Sequence, residues 1–277
     1  MQAASTLDEL KQQIQTNYSD LSNRLQQVAK YVLDNSSSVA FDTVATIAQQ
    51  ADVPPSTLIR FASAFGFSGF NEMKQLFRHK LVEDTANYTD RARLYKQLED
   101  QNSPPETTKD ILEEFARANS QALEHLATNT KQDELYTATQ LLDNAENIYV
   151  IGLRRSFSIA SYFTYALRHA EKRAFLIDGL GGMFQEQLGL IGAKDTVVSI
   201  SFAPYAEETL MLSEIAAKAG ANQIVITDSQ ISPLSAYSDA CFVVKEAKVD
   251  AFRSQSASLC LVQSLAVSLA INPDGSK

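Results

Sequence analysis

Residues 42–67 read DTVATIAQQADVPPSTLIRFASAFGF, a sequence that carries two helical patterns separated by a turn. The first pattern places apolar residues at the i, i+3, i+4, i+7 spacing of an amphipathic helix: Val44, Ile47, Ala48 and Ala51. Either Asp42 or Thr43 is suited to cap its N-terminus. Pro54 and Pro55 each disfavour helical backbone in the residue before them, so a turn is predicted at 52–55. The second pattern resumes with Leu58, Phe61, Ala62 and Phe65, and Gly66 is suited to end that helix in the left-handed conformation.

The outward residues of the second helix have the chemistry of a DNA-contacting surface. If its apolar residues face a core, then Ser56, Thr57, Arg60 and Ser63 face solvent. An Arg side chain can form two hydrogen bonds to a guanine edge, and short hydroxyls suit phosphates or bases. Ile59 lies on the flank, where it either meets a thymine methyl or packs inside. A small helical bundle that does not bind DNA has the same pattern, so the spacing alone leaves both alternatives open.

Helical patterns continue on both sides of this stretch, up to about residue 81. Apolar spacing predicts a first short helix (Leu7, Leu10, Ile14) and a second one (Leu21, Leu25, Val28, Ala29, Val32). The polar run 34–38 is expected to break the second helix, and another helix is expected from about Ser68 past Leu81. Residues 82–108 are polar and end close to Pro104-Pro105, which is typical of a linker with at most a helical piece around 91–98. The predicted organisation is a helical domain at 1–81, a linker at 82–108 and a second domain at 109–277.

The chain carries a net charge of −9 that is unevenly distributed. Residues 1–80 contain seven Lys and Arg residues and seven acidic ones, so the excess of acid lies in the remainder. Within 56–80, four basic residues face one acidic residue, Glu72. The basic residues of that segment are Arg60, Lys74, Arg78 and Lys80. A small basic surface is therefore expected in the first domain, which keeps nucleic acid among the partners that the charge allows.

Several classes of protein are excluded by composition. No apolar run approaches 18 residues, which excludes a membrane span, and the polar N-terminus is unlike a signal peptide. Cys241 and Cys260 lack the paired spacing of a zinc site or a disulfide framework. We therefore expect a cytoplasmic protein with no metal and no cofactor.

From about residue 147, short β-rich runs alternate with helical stretches. The predicted strands are 148–151, 174–177, 197–200, 224–226 and 241–244. Apolar strands joined by helices predict a five-stranded parallel sheet in a doubly wound α/β domain, so the overall fold class is α + α/β. The last helix, about Phe252–Ala270, is apolar on nearly all sides. It is expected to be buried against its own sheet and against a second copy of the chain.

Two loops at the edge of this sheet are suited to an anion. The first strand ends at Gly152-Leu153-Arg154-Arg155-Ser156, immediately before a helix whose N-terminal N–H groups attract negative charge. The third strand ends at Ser199-Ile200-Ser201. Carboxyl ends of parallel strands lie at one edge, where ligands bind. The candidate ligand-binding residues are Gly152, Arg154, Arg155, Ser156, Ser199 and Ser201.

A family resemblance rests on the helical stretch. Within residues 42–70, Ser56-Thr57-x-x-Arg60-Phe61 followed by Phe65-Gly66-Phe67-x-Gly69-Phe70 resembles the helix-turn-helix of the RpiR/MurR family of bacterial transcriptional regulators. The resemblance implies that Ser56, Thr57 and Arg60 touch a double-stranded DNA operator. Pro54 departs from the family, which usually has a Ser cap there; losing such a cap costs about 1 kcal/mol. Pro55 suits the first helical position.

Residues 109–271 resemble the SIS (sugar isomerase) domain, the usual partner of that helix-turn-helix. SIS domains typically bind a phosphosugar through a Gly-x-Gly-x-Ser loop and a Ser-x-Ser-Gly-x-Thr loop. Gly152 and Ser156 match the first loop, but Arg154 replaces its second Gly. Ser199 and Ser201 match the start of the second, whose remainder is replaced by the longer loop 202–206. Arg154 and Arg155 either compensate, select a carboxylate or pair with a helix acid; Ser156 and Ser201 either bind the ligand or cap a helix.

The resemblance implies a regulator that senses a sugar phosphate or related anionic metabolite and works as a homodimer or homotetramer. It is not expected to be an enzyme, because His79, His125 and His169 all lie away from the carboxyl ends of the strands and no catalytic constellation is present. One alternative is a sugar-phosphate isomerase with an accessory helical domain. Another is a binding module whose altered loops no longer take a ligand.

Overall fold

A computed structural model describes residues 3–4, 6–84, 87–98, 107–250 and 252–271. The chain divides into two compact units, Met1–Glu106 and Thr107–Lys277. Part of the predicted linker, residues 85–86 and 99–106, lies outside the described residues. The helix at Tyr88–Leu98 packs against the helix that precedes it, so this part of 82–108 associates with the first unit. The domain limits at 81 and 108 stay predictions.

The described part of the first unit is helical. Its helices are α1 (Leu7–Thr16), α2 (Asn23–Asp34), α3 (Ser36–Phe41), α4 (Val44–Gln50), α5 (Pro55–Ala64), α6 (Phe70–Asp84) and α7 (Tyr88–Leu98). One apolar core joins α1 to α6, and its largest fully buried side chains are Leu10, Ile14, Ile47, Leu58, Phe61, Phe65, Met73 and Phe77. These residues follow the helical spacing of the sequence, because each helix buries the stripe that recurs every three or four residues.

The turns of this unit agree with the sequence except at one point. Thr43 caps α4, and its Oγ1 accepts the backbone N–H of Thr46 at 3.1 Å. Pro55 is the first residue of α5, and Gly66 has the left-handed φ of 85°. The predicted break of the second helix is confirmed, because α2 ends at Asp34, but it is shorter than 34–38, because α3 begins at Ser36. Burial of Val39 and Ala40 in the core keeps this polar run helical.

The second unit is a doubly wound α/β domain, as predicted. Its main sheet is parallel, in the order β2-β1-β3-β4-β5, with strands β1 (Ile148–Gly152), β2 (Ala174–Ile177), β3 (Thr196–Ile200), β4 (Asn222–Thr227) and β5 (Ala240–Val243). Its helices are α8 (Thr108–Asn129), α9 (Gln132–Asp143), α10 (Phe157–His169), α11 (Phe184–Gln187), α12 (Glu207–Lys218) and α13 (Ser256–Ile271). Side chains of α8, α9, α10 and α13 share the core on one face of the sheet, and α12 packs on the other.

The segment before the last helix differs from the prediction. The helix begins at Ser256 and not at about Phe252, because Phe252–Arg253 form a short strand (β7) paired antiparallel with Lys248–Val249 (β6). The Glu246 carboxylate then accepts the backbone N–H groups of Ala257 at 3.1 Å and Ser258 at 2.7 Å. This side-chain cap fixes where α13 starts.

The described helices include none that is both long enough and apolar enough to span a bilayer. Within the same ranges, no group of three or more His, Cys, Asp or Glu side chains is arranged to hold a metal ion.

Candidate functional sites

Helix α5 separates an apolar face from a polar one. Leu58, Phe61 and Ala62 are fully buried against the rest of the helical unit. The opposite side exposes four residues at spacings of three and four, which places them on one side of the helix. They are Ser56, Ile59, Arg60 and Ser63, and together they form what we call the α5 face. The structure thus places Ile59 outside the core, with 53% of its surface exposed.

The expectation that Thr57 faces solvent is wrong. Thr57 is only 5% exposed, and its backbone N–H donates to the carbonyl oxygen of Pro54 at 2.8 Å. It lies one turn before the buried Phe61, so it falls within the apolar stripe. That stripe is wider than the strict Leu58, Phe61, Ala62, Phe65 pattern because α5 is covered by α2, α4 and α6.

The basic residues of 56–80 do not form one surface. The Lys74 ammonium is buried and donates to the carbonyl oxygen of Asp42, and Arg78 Nε donates to that of Ala40 at 3.2 Å. Both carbonyls lie at the C-terminal end of α3, where a helix attracts positive charge. Burial, followed by the positive charge of Arg78, lowers the pKa of Lys74. Lys80 pairs with Asp8 at 3.3 Å. The predicted basic surface is therefore corrected: of the four residues, only Arg60 belongs to the α5 face.

A side-chain hydrogen bond that the sequence does not predict joins α2 to α4. The Tyr31 hydroxyl of α2 donates to Gln50 Oε1 at the end of α4. Burial raises the pKa of Tyr31, and the negative charge of Asp42 raises it further. The neutral hydroxyl is therefore kept as a donor over a wide pH range. Residues 19 positions apart carry no local signal of this contact.

The second candidate site is a crevice at the carboxyl ends of β1 and β3. These strands are neighbours, yet the helix that follows β1 packs on one face of the sheet and the helix that follows β3 on the other. Such a reversal opens a crevice between the two loops, which is where doubly wound sheets bind ligands. We call it the β1/β3 crevice; it is bounded by the loops 153–156 and 201–206.

The first loop is tightly packed. A Cβ on Gly152 would lie 2.8 Å from both the Ala160 Cβ and the Ser156 carbonyl oxygen, so only glycine fits. Arg154 has a left-handed φ of 54°, which is uncommon for a residue with a side chain. Ser156 is 5% exposed at the start of α10 and makes no capping hydrogen bond, so the capping alternative is not realised.

A residue from a distant part of the chain holds this loop. Gln255 Nε2 donates to the carbonyl oxygen of Arg155 at 2.7 Å, and its Oε1 accepts the Ser158 hydroxyl at 2.5 Å. Gln255 lies one residue before the last helix. The sequence does not predict this contact, because Gln255 is separated from Arg155 by 100 positions. The loop that carries the two arginines is thereby fixed to the start of α13.

The two serines at the end of β3 have different environments. Ser199 is fully buried, and its Oγ lies 2.9 Å from the Ser213 Oγ of α12. Side chains of a strand alternate between faces, so Ser199 points to the α12 side together with Val197. Its expected place among the ligand-binding groups is therefore corrected to a contact within the core. Ser201, just past the strand, donates its N–H to the Ile226 carbonyl oxygen at 3.0 Å. Helix α12 begins after Ala206, so Ser201 does not cap it.

The rest of the second loop is held by the end of β4. Asp228 accepts the Ala203 N–H at 3.1 Å and the Tyr205 hydroxyl at 2.8 Å. Burial, assisted by the hydrogen bond to Asp228 and its negative charge, raises the pKa of Tyr205 to about 12. Ala203 and Tyr205 occupy the part of the loop where the SIS pattern has Gly-x-Thr. Here the Asp228 side chain holds the loop through its two hydrogen bonds.

One ion pair spans the crevice. Arg154 Nη2 of the first loop lies 3.9 Å from Glu208 Oε2 in the first turn of α12. The pairing of a crevice arginine with a helix acid is thus realised for Arg154, although its side chain remains 65% exposed. Glu208 Oε2 and Thr209 Oγ1 are enclosed without a hydrogen-bond partner among the described residues. Thr209 is fully buried, whereas the Glu208 side chain is 41% exposed, so the Glu208 carboxylate is the group of this pair that a bound molecule can reach.

Two family models match the chain. Residues 8–84 match the model described as "Helix-turn-helix domain, rpiR family", and residues 141–272 match "SIS domain". An uncharacterized HTH-type transcriptional regulator of Haemophilus influenzae is 24% identical over 224 residues, which are 80% of this chain and 75% of that protein. The HTH-type transcriptional regulator HexR of Pseudomonas aeruginosa is 25% identical over 238 residues, 84% of this chain and 77% of HexR. The bifunctional protein glk of Burkholderia mallei is 26% identical over 76% of this chain, which spans only 31% of that relative.

Solved structures share the fold. The Vibrio vulnificus NanR protein complexed with ManNAc-6P has a TM-score of 0.58 at 21% identity, over 96% of this chain and 94% of that one. The sugar isomerase domain of the RpiR transcription factor from Sphaerobacter thermophilus has a TM-score of 0.56 at 20% identity, over 60% of this chain and 92% of that one. From the helix-turn-helix match, the SIS match and the regulator relatives, the chain belongs to the RpiR family of transcriptional regulators.

Proposed function

We propose that this protein is a bacterial transcriptional regulator that binds operator DNA through the α5 face and senses a sugar phosphate or related anionic metabolite in the β1/β3 crevice. The observation that carries the proposal is the α5 face itself. It exposes Arg60 between the hydroxyls of Ser56 and Ser63 on a helix whose other side is buried. That arrangement occurs within the part of the chain that matches the helix-turn-helix of the family.

The chemistry of the α5 face suits the major groove. Arg60 makes no ion pair with any described residue, so both of its terminal nitrogens are available for the O6 and N7 atoms of a guanine. Ser56 lies in the first turn of α5, where backbone N–H groups point outward and attract a phosphate. Ser63 lies two turns further along the same face. Two copies of the chain in a homodimer, or four in a homotetramer, would present this face to half-sites about 34–36 Å apart.

The β1/β3 crevice suits a small anion with hydroxyl groups. The Ser156 hydroxyl makes no capping hydrogen bond, and the first turn of α10 offers backbone N–H groups beside it. Ser201 lies across the crevice from them. On binding, the Arg154 guanidinium would leave Glu208 and pair with the anion instead. The Glu208 carboxylate would then be able to accept a hydrogen bond from a hydroxyl group of the ligand. The related NanR structure holds ManNAc-6P, a ligand of this chemical class, which supports the proposal. Arg155 lies beside Arg154 and adds positive charge to the same loop.

The protein is proposed to sense its ligand without converting it, and to do so in the cytoplasm where its DNA lies. None of the three histidines is at the crevice: His79 is in α6, His125 in α8 and His169 at the C-terminal end of α10. The raised pKa of Tyr205 keeps its hydroxyl protonated near neutral pH, so it is unsuited to act as a base. A ligand that prefers one of two arrangements of the protein changes the affinity for DNA by that preference.

The test of DNA binding is enrichment of genomic DNA fragments by the purified full chain at moderate salt, since low salt favours non-specific retention. Wild type is expected to enrich a small set of fragments with two-fold symmetric sites, and Arg60→Ala is expected to enrich none of them. Arg24→Ala is the matched control, because Arg24 is also exposed in the first unit but lies on α2. Equal enrichment by wild type and Arg60→Ala, or no enrichment by wild type, would contradict the proposal.

A further inference from the structure

We propose that Ile59 determines sequence specificity by contacting the methyl group of a thymine close to the guanine bound by Arg60. The inference rests on the proposed function, because it needs the α5 face to lie in the major groove. It concerns a residue whose place in the protein the sequence left open between the core and the surface.

The position of Ile59 on the α5 face carries the inference. Isolated exposed aliphatic side chains are common on proteins and need no explanation. Ile59 differs because it lies three residues after Ser56 and directly before Arg60, on the surface that meets the DNA. Its neighbour Leu58 is fully buried, whereas Ile59 is 53% exposed and takes no part in the core. Within the α5 face it is the one residue with no polar side-chain atom.

The side chain of Ile59 is also restricted at χ1. A β-branched residue in a helix has one strongly preferred χ1 rotamer, so its Cγ2 methyl group is largely held in place before binding. The helix beneath it is fixed by the buried Phe61 and Phe65, whose rings are 5.0 Å apart. A preorganised apolar group loses little conformational entropy when it contacts a ligand. Arg60, which is long and flexible, lacks this property.

The major groove offers one apolar group on a base edge, the C5 methyl of thymine. Cytosine has no such methyl, so an aliphatic contact at that position favours a T·A pair over a C·G pair. Consecutive residues have Cα atoms about 3.8 Å apart, and successive base pairs are about 3.4 Å apart along the axis. We therefore expect the thymine within about two base pairs of the guanine that Arg60 contacts.

The experiment removes the methyl group and the side chain separately. A duplex is selected by the full-length wild-type protein from a random pool, and each thymine of one half-site is replaced in turn by deoxyuridine, which lacks only the methyl. Binding of each duplex is measured for wild type, Ile59→Ala and Ile111→Ala. Ile111 is the matched control, because it is 42% exposed but lies on α8 of the other unit.

For wild type and Ile111→Ala, we expect deoxyuridine at one thymine near the guanine to weaken binding about fourfold, the effect of one buried methyl group. For Ile59→Ala, the same replacement should have no measurable effect. The inference is overturned if no thymine matters, or if its replacement weakens Ile59→Ala and wild type equally. If wild type selects no sequence at all, the proposed DNA binding fails, and that outcome is distinct from the other two.

Discussion

The α5 face and the β1/β3 crevice are built in different ways. The α5 face follows from local sequence, because helical spacing alone places Ser56, Arg60 and Ser63 on one side of a helix. The crevice depends on distant partners: Gln255 holds the Arg155 carbonyl and Asp228 holds Tyr205. A change on the α5 face should therefore affect binding with little effect on stability, whereas a change to the residues that hold the crevice loops in place should also lower stability.

The largest expected effect on stability is that of Gly152→Ala. The added Cβ would lie 2.8 Å from two neighbouring atoms, so the loop and α10 must shift. Overpacking of this kind costs about 1–3 kcal/mol. Thermal unfolding should show the second unit melting at a lower temperature while the first is unchanged.

Gly192→Ala is the matched control for this prediction, because a Cβ at Gly192 meets no atom within 4 Å. An unchanged melting temperature for Gly152→Ala would show that the first loop is not as tightly packed as its distances indicate.

Ser199→Ala should separate a structural serine from a ligand-binding one. Removing one partner of its buried contact with Ser213 should lower the free energy of unfolding by about 1 kcal/mol. Affinity for a sugar phosphate, measured by calorimetry on the folded protein, should stay close to wild type. Ser156→Ala should do the reverse, with weaker ligand binding and little change in stability. A loss of affinity in Ser199→Ala as large as that in Ser156→Ala would return Ser199 to the binding site.

Tyr205 predicts a pH dependence confined to alkaline solution. Its pKa is raised to about 12 in the folded protein, above the ordinary value of 10.0. The contribution of the protonated hydroxyl to stability is therefore complete below about pH 10 and is lost as pH rises toward 12. The free energy of unfolding, measured with denaturant, should fall over this pH interval more for wild type than for Tyr205→Phe. Identical curves for the two proteins would mean that the hydroxyl titrates normally in the folded state.

The smallest expected effect concerns Arg78. Because Arg78 donates to the Ala40 carbonyl oxygen at the end of α3, it is not expected to contact DNA phosphates. The slope of log affinity against log salt is negative, and each lost phosphate contact reduces its magnitude by about 0.9. Arg78→Gln should leave this slope unchanged when binding to a selected fragment is measured across salt concentrations. A slope that is less steep by about 0.9 would show that Arg78 contacts a DNA phosphate.

How far the sequence predicts each site depends on the range of its contacts. Helical spacing predicted α5 and the alternation of strands predicted the five-stranded sheet, because both patterns arise within a few residues. The burial of Thr57 does not follow from the spacing, because the width of a buried stripe depends on the neighbouring helices. The contacts that remove Lys74 and Arg78 from a basic surface cannot be predicted either, because their partners lie 32 and 38 positions away in the sequence. No pattern of neighbouring residues predicts the β6–β7 hairpin or the hydrogen bond between Gln255 and Arg155.

We propose that ligand binding in the β1/β3 crevice changes the affinity of the α5 face for DNA. The decisive experiment titrates one selected DNA fragment into the wild-type protein and into Ser156→Ala, with and without each of a panel of sugar phosphates. At least one compound is expected to shift the DNA affinity of wild type by about 5- to 150-fold. The same compound should leave Ser156→Ala almost unaffected. Equal shifts in the two proteins, or no shift with any sugar phosphate, would show that the crevice does not control DNA binding.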